Sequence, residues 1–216
     1  MALSSNPLLN KHGFLALPRK SSSAKTKRID NSPIAFNVAK AEIVVSYYDF
    51  LLKEFAKGGA TPLFEEAFKL FYLRNTKRKP KWNPSDYSLY FKLMLSFSPT
   101  GIFVNDVDNI ASKLKSDLSG GGYQLSFASK LVNIIDNNCP LIDSNVIDYL
   151  RKNEGVRWTP YDDPKAKYAA LCKWYNHFMK SDPRYKKWIA YFDKTFPTHT
   201  GISASRKIDF ILFFCN

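Results

Sequence analysis

Hydrophobic residues recur at intervals of three or four along most of the chain, which is the spacing of one face of an α-helix. Between residues 36 and 55 the recurring positions are Val38, Ala41, Val45, Tyr48 and Leu52, and Gly58-Gly59 follows as a stop signal. Similar spacing predicts further helices over residues 62–73, 85–97, 106–118, 125–135, 144–152, 164–180 and 183–194. No two apolar runs are joined by the Asn-Gly or Asp-Gly turn of a β-hairpin. The pattern therefore predicts an all-α fold.

The helix predicted over residues 125–135 carries a lysine at the border of its apolar face. Phe127, Leu131, Ile134 and Ile135 form one stripe at helical spacing. Lys130 follows Phe127 by three residues and precedes Ile134 by four, so its side chain begins at the edge of that stripe. The ammonium group is therefore aimed at partly apolar surroundings.

A turn and a second helix follow, and they bring an aspartate back towards this lysine. The residues from Asp136 to Pro140 favour a turn, because Asp and Asn tolerate turn geometries and the residue before a proline avoids the helical region. From Lys130 to the turn a helix rises roughly 9 Å, and the six steps to Asp143 can span up to about 20 Å when extended. Asp143 precedes an apolar helical run and is predicted to be its N-cap. Lys130 and Asp143 are thus candidates for one catalytic pair. The alternative is that the Lys130 ammonium extends into water and that Asp143 serves only as a helix cap.

Residues 119–150 resemble the core of the helix-hairpin-helix superfamily of base-excision DNA glycosylases, in particular its 8-oxoguanine glycosylase/lyase branch. The family motif runs from a glycine hairpin to a lysine-bearing helix and then to a Val-Asp-Thr-His-Ile-like element. Here the triple glycine at 120–122 stands near the hairpin, Lys130 at the nucleophile, and Ile142-Asp143-Ser144-Asn145-Val146 at the last element. The chain departs from the family in three ways. The Leu-Pro-Gly-Val-Gly hairpin is absent, the lysine and aspartate are only 13 residues apart, and Asn145 replaces a histidine.

The resemblance implies an enzyme that excises a damaged or modified base from DNA and that can also cleave the strand as an AP lyase. Asp143 would stabilise an electron-poor sugar, or activate water in a single-function enzyme. Lys130 would attack the sugar carbon and form a Schiff base, which requires its pKa to fall from about 10.4. The alternative is a non-catalytic helical nucleic-acid-binding protein that retains the scaffold. The implied DNA-binding residues are Gly120, Gly121, Gly122, Ser126 and Ser129, and the clustering of basic residues adds Arg78, Lys79 and Lys81. The implied base-pocket residues, for which core packing is the competing interpretation, are Phe127, Asp209, Phe210 and Phe213.

The charge of the chain favours a polyanionic partner. Lys and Arg number 32 against 19 Asp and Glu, which gives a formal charge of +13. Such an excess favours binding to nucleic acid through phosphate neutralisation and counterion release. Arg184 and its neighbours Lys186 and Lys187 lie next to Trp188, and a second basic group spans residues 74–81. The aromatic residues beside these groups can stack on an exposed base, although most are expected in the core.

The organisation expected is a basic N-terminal arm over residues 1–33 and a helical domain over residues 34–216. With 216 residues and 45% hydrophobic content, the chain can bury a core in one domain or in two small lobes with a cleft. The arm is rich in Lys, Arg and Ser, which is typical of a DNA-binding arm and also of an organelle-targeting sequence. We expect a monomer that binds DNA, does not cross a membrane, and lies in the cytoplasm, at the nucleoid in a bacterium.

No metal or cofactor is expected. The three histidines are scattered without paired-ligand spacing, and the three cysteines form neither a Cys-x-x-Cys unit nor the quartet that an iron–sulfur cluster needs. An odd number of cysteines indicates a reducing compartment. These residues are His12, His177, His199, Cys139, Cys172 and Cys215.

Overall fold

The computed structural model describes residues 38–73, 82–119, 122–157 and 163–215. These residues form helices joined by short connections and contain no β-strand, which confirms the all-α prediction. The helices are α1 (Val38–Gly58), α2 (Pro62–Phe68), α3 (Pro84–Ser96), α4 (Phe103–Asp117), α5 (Leu125–Ile135), α6 (Ser144–Asn153), α7 (Pro164–Ser181), α8 (Arg184–Thr195) and α9 (Ala204–Phe214). A π-helical turn, Lys69–Leu73, continues α2. The N-terminal arm and the predicted DNA-binding residues Arg78, Lys79, Lys81, Gly120 and Gly121 lie outside the described residues.

Local signals at the helix ends explain most of these boundaries. Thr61 begins α2 by accepting a hydrogen bond from the Phe64 N–H at 3.2 Å. Asn83 and Asp86 begin α3 with a reciprocal capping box. Gly59 ends α1 with a φ of 70°, and a Cβ at this position would lie 2.5 Å from the Leu95 side chain. The positive φ and this close approach both favour glycine at the connection.

Helix α5 lies against α1, α3 and α4. Its residues from Leu125 to Ile134 are all buried except Ser126, so the helix is enclosed around most of its circumference rather than along one stripe. Tyr90 of α3 donates a hydrogen bond to the Phe127 carbonyl at 2.8 Å, and Tyr48 of α1 donates to the Asn133 side chain at 2.8 Å. This packing buries Ser129, Lys130 and Asn133 of α5 as well as its apolar residues.

Helix α9, which the hydrophobic spacing did not predict, packs against α1, α6 and α8. The sequence indicated only that this apolar C-terminal run had to be held by packing. Ser203 caps the helix by accepting from the Arg206 N–H at 3.1 Å. Just before it, His199 lies between two carboxylates of α1, 3.0 Å from Asp49 and 3.2 Å from Glu42. These contacts hold the segment just before α9 against α1.

The buried hydrophobic residues of the described chain belong to one continuous core that is rich in phenylalanine and tyrosine. Within the described ranges, no helix is both long enough and apolar enough to span a membrane. All three cysteines are free thiols.

Candidate active site

Lys130 is the buried cation of α5. Only 6% of the residue is exposed, and its Nζ donates a hydrogen bond to the Ser126 hydroxyl at 3.1 Å. The ammonium lies 5.0 Å from the centre of the Phe127 ring and 5.7 Å from that of Tyr72. Loss of hydration lowers the pKa of Lys130 to about 8, with a further lowering from the positive charge of Arg206. A useful fraction of the amine is therefore neutral at physiological pH.

Asp143 is the N-cap of α6, as its position before an apolar run predicted. Its Oδ1 accepts a hydrogen bond from the Asn145 N–H at 2.8 Å. The negative charge of Asp143 opposes the lowering of the Lys130 pKa, so the carboxylate lies within electrostatic range of the amine. Although both residues are described, they form no direct ion pair.

Ser129 connects the two elements that carry this pair. It is fully buried; its hydroxyl donates to the Ser126 carbonyl at 3.1 Å and accepts from the Ile142 N–H at 3.3 Å. The second bond joins α5 to the residue just before Asp143. Ser129, which the resemblance implied as a DNA contact, is therefore used inside the fold.

A second buried polar group, from α9, lies within electrostatic range of the lysine. The Arg206 guanidinium is 4.4 Å from the centre of the Tyr48 ring and 4.2 Å from that of Phe210, and its Nη1 is 3.5 Å from Asp209 Oδ2. Asp209 also accepts hydrogen bonds from the Tyr175 hydroxyl and, at 3.4 Å, from the Leu141 N–H. Burial raises the pKa of Asp209 to about 6, and the charge of Arg206 limits the rise.

Arg206 was not among the residues selected from the sequence, and Tyr72 was selected only as one of the aromatic residues beside the basic group at 74–81 that could stack on a base. The available signal for Arg206 was a cation three residues before Asp209 in an otherwise apolar C-terminal run. Nothing in the sequence connected Tyr72 with Lys130, because a tyrosine at helical spacing is normally a core residue. It approaches Lys130 only because the π-helical turn after α2 packs near α5.

The other predicted site residues divide between core and periphery. Phe127 is buried and packs on Trp82, with ring centres 4.9 Å apart. Phe210 is buried beneath Arg206, whereas Phe213 is partly exposed and contacts Phe214. Gly122 and Ser126 are also partly exposed. The buried Phe127 and Phe210 rings therefore contact Lys130 and Arg206, respectively. Phe213, Gly122 and Ser126 lie nearer the surface.

The basic group around Trp188 contributes to folding contacts. Arg184 forms ion pairs with Glu154 at 2.7 Å and with Asp182 at 2.6 Å. Trp188 is buried and packs on Phe178, with ring centres 4.8 Å apart. This tryptophan is therefore a core residue and is not presented to an exposed base.

Within the described residues, no group of three or more His, Cys, Asp or Glu side chains could hold a metal ion. No protein-family model, curated protein or solved structure matches the chain. The chemistry of the buried lysine and its neighbours is consequently the main support for a function.

Proposed function

We propose that this protein is a DNA glycosylase with AP-lyase activity, in which Lys130 is the nucleophile and Asp143 stabilises the electron-poor sugar. The observation that carries the proposal is a buried lysine whose pKa falls to about 8 beside a half-buried aspartate at a helix N-terminus. Amine nucleophiles require a lowered pKa, and burial is one of the usual ways of producing it.

In the first step the lone pair of the neutral Lys130 amine forms a bond to C1′ of the target nucleotide. The N-glycosidic bond breaks, and its electron pair leaves with the base, which then takes up a proton. Positive charge develops on the sugar as that bond lengthens, and the Asp143 carboxylate stabilises this charge. The nitrogen then loses its protons while the C1′–O4′ bond breaks and O4′ takes up a proton, so that the sugar ring opens and a Schiff base forms between Nζ and C1′.

In the second step a proton leaves C2′ and the C3′–O bond breaks, so that the 3′ phosphate departs with the electron pair. Water then hydrolyses the Schiff base and regenerates the amine. The Ser126 side chain is partly exposed and its hydroxyl accepts a hydrogen bond from Lys130 Nζ. The sugar must displace this hydroxyl when it reaches the amine. Until then the hydroxyl holds Nζ in place.

The formal charge of +13 supports DNA as the substrate, since phosphate neutralisation favours binding to a basic protein. We further propose that the protein acts as a monomer in the cytoplasm, at the nucleoid in a bacterium. A nucleotide must leave the base stack to bring its C1′ to a buried amine, as in other enzymes that act on bases.

Borohydride trapping on DNA that carries one abasic site tests the proposal. The wild-type protein should form a covalent adduct, and Lys130→Gln should form none while still binding the DNA. Lys69→Gln is the matched control, because Lys69 also lies over two aromatic rings, 5.3 Å from Tyr87 and 5.5 Å from Phe91. Its adduct yield should equal that of the wild type.

Two other results would change the assignment. If no adduct forms but base release is observed and is lost in Asp143→Asn, the enzyme has a single function and Asp143 activates water. If neither base release nor adduct is found with damaged or modified DNA, the glycosylase proposal is wrong. A non-catalytic nucleic-acid-binding protein would then remain.

A further inference from the structure

Two buried polar atoms near Lys130 have no hydrogen-bond partner. They are the Tyr72 hydroxyl and the Arg206 Nε, and they are the two such side-chain atoms in the part of the chain that the structure describes. Tyr72 is 5% exposed and Arg206 is 6% exposed, so water does not replace the missing partners freely. Unsatisfied buried groups are rare in native proteins because each one destabilises the fold. Both atoms are therefore candidates for binding a ligand.

These two atoms belong to the same cluster of side chains as the amine. The Tyr72 ring lies 5.7 Å from Lys130 Nζ. Phe71 connects the two groups, because its ring centre is 4.6 Å from that of Tyr72 and 6.4 Å from that of Tyr48, on which Arg206 is stacked. The charge of Arg206 also acts on both Lys130 and Tyr72. These distances and charges place Tyr72, Arg206 and Lys130 in one cluster.

The unused hydrogen-bonding capacity consists largely of donors. A guanidinium has five N–H groups, and the one described contact of Arg206 to an acceptor is the 3.5 Å approach to Asp209. Tyr48 and Phe210 cover the guanidinium, which leaves its edge for an acceptor in the same plane. Burial raises the pKa of Tyr72 to about 12, so its hydroxyl keeps its proton and can donate.

On the basis of the proposed glycosylase activity, we infer that Arg206 and Tyr72 bind the carbonyl edge of the base that is removed. Donors directed at this edge accept a base that presents a ring carbonyl and disfavour one that presents an amino group, as adenine does. When the N-glycosidic bond breaks, its electron pair moves onto the base and raises the negative charge on the carbonyl oxygen. Hydrogen bonds from Arg206 then strengthen in the transition state, before the base takes up a proton.

Tyr72→Phe is the sharpest test of this inference. The substitution removes the unpartnered hydroxyl and keeps the ring that contacts Lys130, so the stability of the fold should stay the same or increase. Release of a carbonyl-bearing base should fall by about tenfold or more. Trapping on a preformed abasic site, which has no base, should stay close to the wild-type level.

Arg206→Lys tests the second donor while keeping a positive charge in the same place. It should lower base release by about 100-fold, because the planar fork of donors is lost, and again leave trapping nearly unchanged. Tyr168→Phe is the control, since the buried Tyr168 hydroxyl donates to the Pro140 carbonyl at 2.9 Å. This control should lower stability without changing base release per folded molecule.

The substrates are duplexes that carry 8-oxoguanine, hypoxanthine or uracil, compared with duplexes that carry adenine or 3-methyladenine. The inference is supported if the wild type releases a carbonyl-bearing base in preference and both variants lose that release selectively. It is overturned if folded variants release the base at the wild-type rate, if trapping falls in parallel with release, or if the carbonyl-bearing bases are not released. A wild-type protein with neither adduct nor base release would instead refute the proposed function itself, before any Tyr72 or Arg206 variant is compared.

Discussion

The Ser129 hydroxyl accepts a hydrogen bond from the backbone N–H of Ile142 at 3.3 Å. Ser129 immediately precedes Lys130, and Ile142 immediately precedes Asp143. The bond therefore joins the two chain segments next to the proposed nucleophile and the proposed carboxylate. Because Lys130 and Asp143 have no direct ion pair, this neighbouring link helps to set the distance between them.

Ser129→Ala should weaken both the fold and the site. It leaves the Ile142 N–H without its partner, and we expect a loss of about 1 kcal/mol in the free energy of unfolding. Adduct formation on abasic DNA should decrease as well, because the segment before Asp143 is held less firmly. Urea denaturation and trapping at equal folded concentration measure the two effects. Ser116→Ala is the matched control, since the Ser116 hydroxyl also donates to a carbonyl three residues earlier but lies on an exposed surface. An equal loss of unfolding free energy and of adduct in both variants would contradict the prediction.

The rate of Schiff-base formation should depend on pH through Lys130. Attack requires the neutral amine, and burial lowers the pKa of Lys130 to about 8. We therefore expect the single-turnover trapping rate to rise about tenfold per pH unit below that value and to level off above it. The measurement uses cyanoborohydride between pH 6 and 9.5, with circular dichroism as the check that the fold persists. A rate that continued to rise through pH 9.5 would indicate a lysine with an ordinary pKa.

Lys130→Met should stabilise the protein while abolishing its adduct. In the folded state the pKa of Lys130 is about 8, below its ordinary value of 10.5, so the charged form is penalised in the fold. Below pH 8 the amine is protonated in both states and the penalty is fully present; as the pH rises from 8 to 10.5 the wild type gains stability. The gain from Met should thus be largest below pH 8, at most about 3 kcal/mol, and should shrink above it.

Chemical denaturation at pH 7 and pH 10 measures this difference. Lys69→Met is the control, because Lys69 is paired with Glu65 at 3.6 Å and with Glu66 at 3.3 Å. Removing a paired lysine should not produce a pH-dependent gain over the same range. A Lys130→Met protein that is less stable than the wild type at pH 7 would show that the contacts of the lysine stem outweigh the desolvation of its ammonium.

The helices near Lys130 could be predicted from the sequence because local chemistry determines them. The spacing of Phe127, Leu131 and Ile134 predicted a helix over residues 125–135, and α5 has those bounds. Asp143 was predicted to cap the next helix, and it does so. Caps, turns and apolar spacing all act within a few residues, so one sequence is sufficient for them.

The depth of burial and the distant members of the site could not be predicted in this way. Lys130 was placed at the edge of a stripe, but α1, α3 and α4 enclose α5, and the lysine is 94% covered as a result. Arg206 lies 76 residues further along the chain and reaches the site through the packing of α9. Tyr72 reaches it through a π-helical turn, which apolar periodicity does not distinguish from the end of an α-helix.

Asp143→Asn should separate the charge of this residue from its role as a cap. Asn caps helices about as well as Asp, so the hydrogen bond from the Asn145 N–H at 2.8 Å can be kept, and the change in unfolding free energy should be below about 1 kcal/mol. Base release should nevertheless fall by about 100-fold, because the amide carries no negative charge to stabilise the electron-poor sugar. Single-turnover base release and thermal denaturation measure the two quantities. Asp163→Asn is the control, because Asp163 caps α7 by accepting a hydrogen bond from the Ala166 N–H. This variant should change stability to the same small extent and leave base release unchanged. If both variants retain full base release, Asp143 is only a cap.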